Sequence, residues 1–282
     1  VVGAFCANCG SPTSDSSEGA GVNVASAEAR GDQPLIELTE FPTGRERRML
    51  VWETRLVMIA FLSPVVVSAV IIFSQHLSGV GDITRFPSIV QHNPVTNLVL
   101  GILSYLPVSA MVPLALFLLA RTGQGPSVLG LGLPSVKRDV WPALGIDAAA
   151  WGIEFVLFIP FFALVGQHSS LINNVSIGHV PTYYLIEGIT MSVVTAITEE
   201  VLVNGYLLTR LGQLGWTPRS ALVLSLILRT SYHVYYGIGF LFTIPFGYLV
   251  TRSFQKHHNL NRPIVAHFMY DAILTTISIF TQ

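Results

Sequence analysis

TEEVLVNGYL, residues 198–207, sets two adjacent carboxylates, Glu199 and Glu200, inside an apolar run. Upstream the chain reads YYLIEGITMSVVTAI, and downstream the run continues into YLL. The surroundings are those of a hydrocarbon core, and what the two acids do there decides how the rest of the chain is read.

Composition places the chain in a membrane. Of 282 residues, 51% are hydrophobic and only 11% charged, with a mean hydropathy of +0.60. A soluble domain carries about 25% charged residues. The net charge of −1 gives no electrostatic case for a nucleic-acid partner. Two cysteines, Cys6 and Cys9, are too few for a disulfide framework. No signal-peptide core is visible before the first hydrophobic run near Leu56.

Residues 1–44 read as a flexible tail, rich in Ser, Gly, Ala and acids and too poor in apolar groups to offset its ordering entropy. At its head, FCANCG (residues 5–10) has the spacing of half a zinc ribbon, whose other ligands would lie upstream. A short tail with two thiols fits the spacing equally.

Residues 45–282 read as an all-α, polytopic membrane helix bundle. A helix needs about 20 residues to cross the hydrocarbon. Seven transmembrane segments are expected, at 56–74, 97–120, 140–165, 183–208, 221–236, 238–251 and 264–280. The fifth and sixth are short and nearly continuous, with their boundary at Gly237. Pro64, Pro107, Pro113 and Pro160 fall inside spans, where neighbouring helices can satisfy the freed carbonyls.

The basic residues alternate with this map. Arg45, Arg47, Arg48 and Arg55 precede the first span; Arg121, Lys137 and Arg138 follow the second; Arg210 and Arg219 follow the fourth; Arg252, Lys256 and Arg262 follow the sixth. The opposite loops hold only Arg85. Cytoplasmic loops collect Lys and Arg, so the N-terminus is expected in the cytoplasm and the C-terminus outside.

The acids break the pattern. From Asp147 onward all of them, Asp147, Glu154, Glu187, Glu199, Glu200 and Asp271, lie inside spans, as does Arg229. An intramembrane charge costs roughly 3 kcal/mol on insertion scales. Glu187 lies near the outer end of its span, within reach of the headgroups. Among the others, Glu200 shares a helix face with Asn204, Arg229 with His233, and His267 with Asp271, each at i+4. A lone buried His is a packing residue, and a lone buried Glu can simply stay protonated. Three paired stripes must instead face one another or a wet cavity. They assemble one candidate site: Glu199, Glu200, Asn204, Arg229, His233, His267 and Asp271. Asp147 and Glu154, i+7 apart, either line the same cavity or pair with Arg229.

EEVLVNG, RTSYH and HFMYD, in this order, resemble the EExxx(R)G box, the histidine-bearing helix and the HxxxN/D motif of the CPBP family. These are the type II CAAX prenyl proteases and bacteriocin-processing intramembrane proteases. The resemblance covers the chain from about Gly188 to its end, and RTSYHVYYG resembles an actinobacterial branch. It implies an intramembrane endopeptidase of a bacterial plasma membrane, acting on a membrane-embedded or lipidated peptide. By that similarity Glu200 acts with His233 to activate a water, and His267 and Asp271 stabilise the oxyanion. Three departures stand out. Asn204 replaces the box Arg. Arg229 replaces a Phe, as though the guanidinium had moved to the next span to neutralise Glu199. Asp271 replaces Asn and, if ionised, cannot donate a hydrogen bond, so it would orient His267 as the donor.

Glu200, His233 and His267 also form a two-histidine, one-carboxylate set suited to catalytic zinc. Metal-dependent and metal-free water activation both remain open on sequence. So do two other classes: a catalytically inactive relative acting as a membrane scaffold, and an ion-coupled transporter. The missing box Arg supports the scaffold; the absence of inverted repeats weighs against the transporter.

Overall fold

The structure, a computed structural model, describes residues 42–78, 94–165 and 184–280. The tail with Cys6 and Cys9 and the loop with Arg85 lie outside the described residues. Within them every element is helical. This follows from the apolar composition: in hydrocarbon, backbone N–H and C=O groups have no water to bond, and a helix satisfies them internally.

Among the described residues seven continuous helices run through the bundle. α1 is Gly44–Leu77. α2 joins Pro94–Ser109 to Met111–Ala120 through Ala110, which keeps helical dihedrals. α3 opens with a π turn, Val136–Val140, and continues as Trp141–Val165. α4 passes from Tyr184–Glu199 through a π segment, Glu200–Leu207, into Leu208–Gln213. α5 is Pro218–Ser231, α6 is Thr243–His257 and α7 is Asn261–Phe280. Among the described residues four stretches are long and apolar enough to cross a membrane: Gly44–Leu77, Leu98–Ala120, Val136–Phe158 and Asn261–Phe280. Their outer faces expose Leu56, Ile59, Val70, Leu103, Phe117, Phe155 and Ile277, as lipid contact requires. The chain is thus an all-α polytopic membrane bundle.

One boundary differs from expectation. α5 stops at Ser231, and two 3₁₀ turns, Val234–Tyr236 and Ile238–Phe242, lead to α6. The His233 side chain takes part in ending the helix: its Nδ1–H donates to the Arg229 carbonyl at 2.9 Å, while its backbone N–H turns back to Thr230. Carbonyls in a helix's last turn lack backbone partners, and here a ring supplies one. Gly237, at φ +61, then reverses the chain.

The central helix is α4, and every residue of its π segment is buried. On one side Val201, Leu202, Tyr206 and Leu208 pack with Val57 and Phe61 of α1 and Leu119 of α2. A second apolar cluster joins Ala143 and Ala150 of α3, Phe246 and Val250 of α6, and Ala266 of α7. A polar latch fixes one end of the bundle. Asn259 Nδ2 donates to Asp139 Oδ1 at 2.6 Å, Leu260 N–H donates to Leu129 O at 2.9 Å, and the Asn261 side chain bonds Gly132 through both its N and its O. A side chain at Gly130, where φ is +67, would collide with the His258 backbone, so this approach needs glycine.

Candidate active site

Glu200 lies at the start of the π segment and is fully buried. Its Oε1 accepts from His267 Nδ1 at 2.8 Å and faces Arg229 Nη1 at 2.9 Å. Its Oε2 accepts from Asn204 Nδ2. The Asn204 amide is itself oriented: Thr251 Oγ1 of α6 donates to its Oδ1 at 2.9 Å, and Ser225 Oγ of α5 lies 3.4 Å from that hydroxyl. Glu200 is therefore saturated, with donors from α4, α5 and α7 on its two oxygens. A carboxylate this deep in a bundle is tolerable only when so paired.

Glu199 is placed differently. Tyr232 O–H donates to its Oε2 at 2.6 Å, and Arg229 Nη1 lies 3.5 Å from the same oxygen. His267 Nε2 lies 4.0 Å from it and 3.5 Å from Asp271 Oδ2. Glu199 keeps 13% side-chain exposure and Asp271 32%, against 0% for Glu200, so the cluster opens on the Glu199–Asp271 side. Glu199 Oε1 accepts no hydrogen bond among the described residues, and it is not among the unpartnered buried atoms.

The structure brings Glu199, Glu200, Asn204, Arg229, His267 and Asp271 into one bonded cluster. The expected pairing of Glu200 with His233 is not found: Glu200 is held by His267 instead. His233, partly exposed, spends Nδ1 on the helix end and stacks its ring 11° from parallel with Tyr236, at 6.2 Å. Since Nδ1 donates to a carbonyl, Nε2 carries the lone pair of the neutral ring.

Arg229 threads between α4 and α6. A Cβ on Gly247 would come within 2.9 Å of Arg229 Cδ, so the arginine stem occupies space that only glycine leaves. The expected contact with Glu199 is present at 3.5 Å, but the shorter one is to Glu200. Asp147 and Glu154 do not reach Arg229. Glu154 Oε2 accepts from Tyr270 O–H at 2.6 Å, while neither buried oxygen of Asp147 has a partner among the described residues.

Among the described residues no three His, Cys, Asp or Glu side chains are placed to hold a metal ion. The donor set agrees. Arg229 and the His267 N–H both occupy Glu200 Oε1, the position a metal would need, and His233 is not bonded to either partner. Glu200, His233 and His267 as arranged do not fit a zinc.

Sequence reasoning missed Tyr232, Thr251 and Ser225. Ser225 continues the Arg229–His233 stripe at i−4, and Tyr232 stands at i+3 from Arg229, so both were within reach of that pattern; Thr251 lies on α6, which carries none of the nominated charges. It also missed a second cluster. Arg210, placed in a loop by the charge count, is fully buried. It donates to Glu53 at 2.6 Å, Thr122 at 2.8 Å, Gln213 at 2.8 Å and the Leu118 carbonyl at 2.7 Å, tying α4 to α1 and α2.

Fold and site together define a polytopic membrane protein with a carboxylate–arginine–histidine cluster in its helical core. Residues 181–273, which carry all of that cluster, match the family described as type II CAAX prenyl endopeptidase, Rce1-like. The match falls on the part of the chain in which EEVLVNG, RTSYH and HFMYD resemble the same family. No curated protein and no solved structure matches the chain.

Proposed function

We propose that the protein is an intramembrane endopeptidase that hydrolyses a peptide bond of a membrane-embedded or lipidated substrate, with Glu199 rather than Glu200 as general base. The observation that carries this is the division of labour between the two acids. Glu200 has both oxygens bonded and no exposure, whereas Glu199 Oε1 is unbonded and lies on the open side. A general base must reach the water it deprotonates, so access decides the role.

In this reading a water is held by Glu199 Oε1 and His233 Nε2 against the scissile carbonyl. Glu199 takes its proton as the hydroxide oxygen bonds to the carbonyl carbon. His267 Nε2–H, loosely held between Asp271 and Glu199, turns to the developing oxyanion; such a donor contributes about 2.7–4 kcal/mol. When the C–N bond breaks, the proton passes to the leaving nitrogen from Glu199, directly or through His233. Glu200 fixes Arg229, His267 and Asn204, and Arg229 balances the charge of both acids.

The test is purified protein in lipid with a library of prenylated and unmodified peptides. Wild-type protein should cleave, Glu199→Gln should not, and chelator should leave the rate unchanged. Cleavage by Glu199→Gln at the wild-type rate would end the mechanism. Absence of cleavage by the wild type across the library would favour the inactive scaffold.

A further inference from the structure

α1 has 34 residues, about 51 Å of helix, where the hydrocarbon takes about 30 Å. The excess lies at its N-terminal end, where Arg45, Arg47, Arg48 and Arg55 occupy the turns before the apolar run begins at Leu56. Gly44, Arg47, Arg48, Val51, Trp52 and Arg55 line one shallow groove along this end. Arg55 lies over the Trp52 ring, 5.6 Å from its centroid, which leaves its N–H edge free.

Among the described residues these arginines lack anionic partners. Among the described residues Arg45, Arg48 and Arg55 make no ion pair, and Arg47 has only a 3.5 Å contact to the Leu214 carbonyl. Glu53, the acid nearest Arg55 in sequence, faces inward, where Arg210 and Tyr206 hold it. A groove with three uncompensated guanidinium groups is complementary to a phosphate, which arginine binds through paired N–H donors.

Trp52 tells which phosphate. At 59% exposure it shares a helix face with Leu56 (61%) and Ile59 (60%), residues of the lipid-facing surface. One edge of the groove thus continues the hydrocarbon-facing stripe. Arg55 stands at the boundary, and Arg47 and Arg48 lie about 10–12 Å further out, through the headgroup layer. A soluble anion would make no use of that stripe; a phospholipid would use both parts, its acyl chains along Leu56 and Ile59 and its phosphate among the arginines.

We propose that this face of α1 is a binding site for the headgroup of an anionic phospholipid, with Arg47, Arg48 and Arg55 as phosphate donors and Trp52 as the wall between headgroup and chain.

The full-length protein is placed in phosphatidylcholine vesicles containing brominated phosphatidylglycerol, or in the reverse mixture with the bromine on phosphatidylcholine. The Trp52 contribution is the quenching lost in Trp52→Phe. Phosphatidylglycerol should be enriched about tenfold over phosphatidylcholine beside Trp52. Arg48→Gln and Arg55→Gln should each lower this about fivefold, the worth of one arginine at an anionic surface. Arg219→Gln, at an exposed position that does not line the groove, should change nothing. Four outcomes would overturn the proposal: equal quenching by both lipids, equal loss in Arg219→Gln, displacement of the lipid by millimolar inorganic phosphate, or no quenching by either. The last would mean that another occupant, such as the chain's own acidic N-terminal stretch, covers the face.

Discussion

Arg229 Nη1 stands 2.9 Å from Glu200 Oε1, and Asn204 Nδ2 donates to the other oxygen of the same carboxylate. The residue where the family's box carries arginine, and the residue that carries arginine here, therefore meet on one acid. Arg229→Ala should destabilise the protein by about 3–5 kcal/mol, because it leaves a buried carboxylate uncompensated. Arg229→Ala with Asn204→Arg should recover part of that loss, since a guanidinium on α4 can reach Glu200 Oε2. Thermal melts in detergent measure both, and a double variant no more stable than the single one would break the exchange.

Glu199 and Glu200 should separate in their effects. Glu199→Gln keeps shape and hydrogen-bonding capacity on the open side of the cluster. It should lower turnover by about 10²–10⁴ with little change in melting temperature. Glu200→Gln removes the charge that Arg229 and His267 share, and should cost about 3–5 kcal/mol of stability before any effect on rate is read. Parallel melts and cleavage assays decide. A stable, inactive Glu200→Gln beside an active Glu199→Gln would return the base role to Glu200.

Thr251 acts on Glu200 at one remove. Its hydroxyl donates to Asn204 Oδ1, which turns the amide N–H₂ toward Glu200. Thr251→Val keeps the volume and strands a buried carbonyl, at a cost of about 1–3 kcal/mol. Thr251→Ser should restore most of it. Equal melting of the Val and Ser variants would show that packing, not the hydroxyl, sets the amide.

Much of this was legible in the sequence. The helices follow from hydropathy, and the stripes at i+4 carry five of the six clustered residues, because helical spacing fixes which side chains share a face; Glu199 entered only as the neighbour of Glu200. What the stripes could not give was depth and partner choice. Arg210 counts as a loop cation until α1 is seen to bring Glu53 against it. His233 shares a face with Arg229 and so was read into the cluster. Its ring nitrogen instead ends the helix at the Arg229 carbonyl, a competition between side chain and backbone that periodicity does not encode.

Orientation is a separate prediction. With Arg138, Arg219 and Arg262 on the cytoplasmic side, reporter fusions at these three positions should all read cytoplasmic, and a fusion after Gln282 should read external. A reversed reading at Arg219 alone would place α4 and α5 in opposite senses to the cluster they share.

Asp147 supplies the last prediction. It lies on the α3 face that also carries Ala143 and Ala150, packed toward Phe246 of α6 and Ala266 of α7, and is 3% exposed. Neither of its oxygens meets a donor among the described residues. An unsatisfied buried polar group costs about 1–3 kcal/mol, so Asp147→Ala should raise stability by about that amount less the small packing loss. Asp147→Asn should not, because an amide in the same place is equally unsatisfied. The rate then tells why the carboxyl is there. A role in the reaction would show as slower cleavage by the more stable Asp147→Ala variant, the usual exchange of stability for activity at a working site. An Asp147→Ala protein that melts lower than wild type would mean that the carboxyl has a bonding partner in the membrane, and the orphan assignment would be wrong.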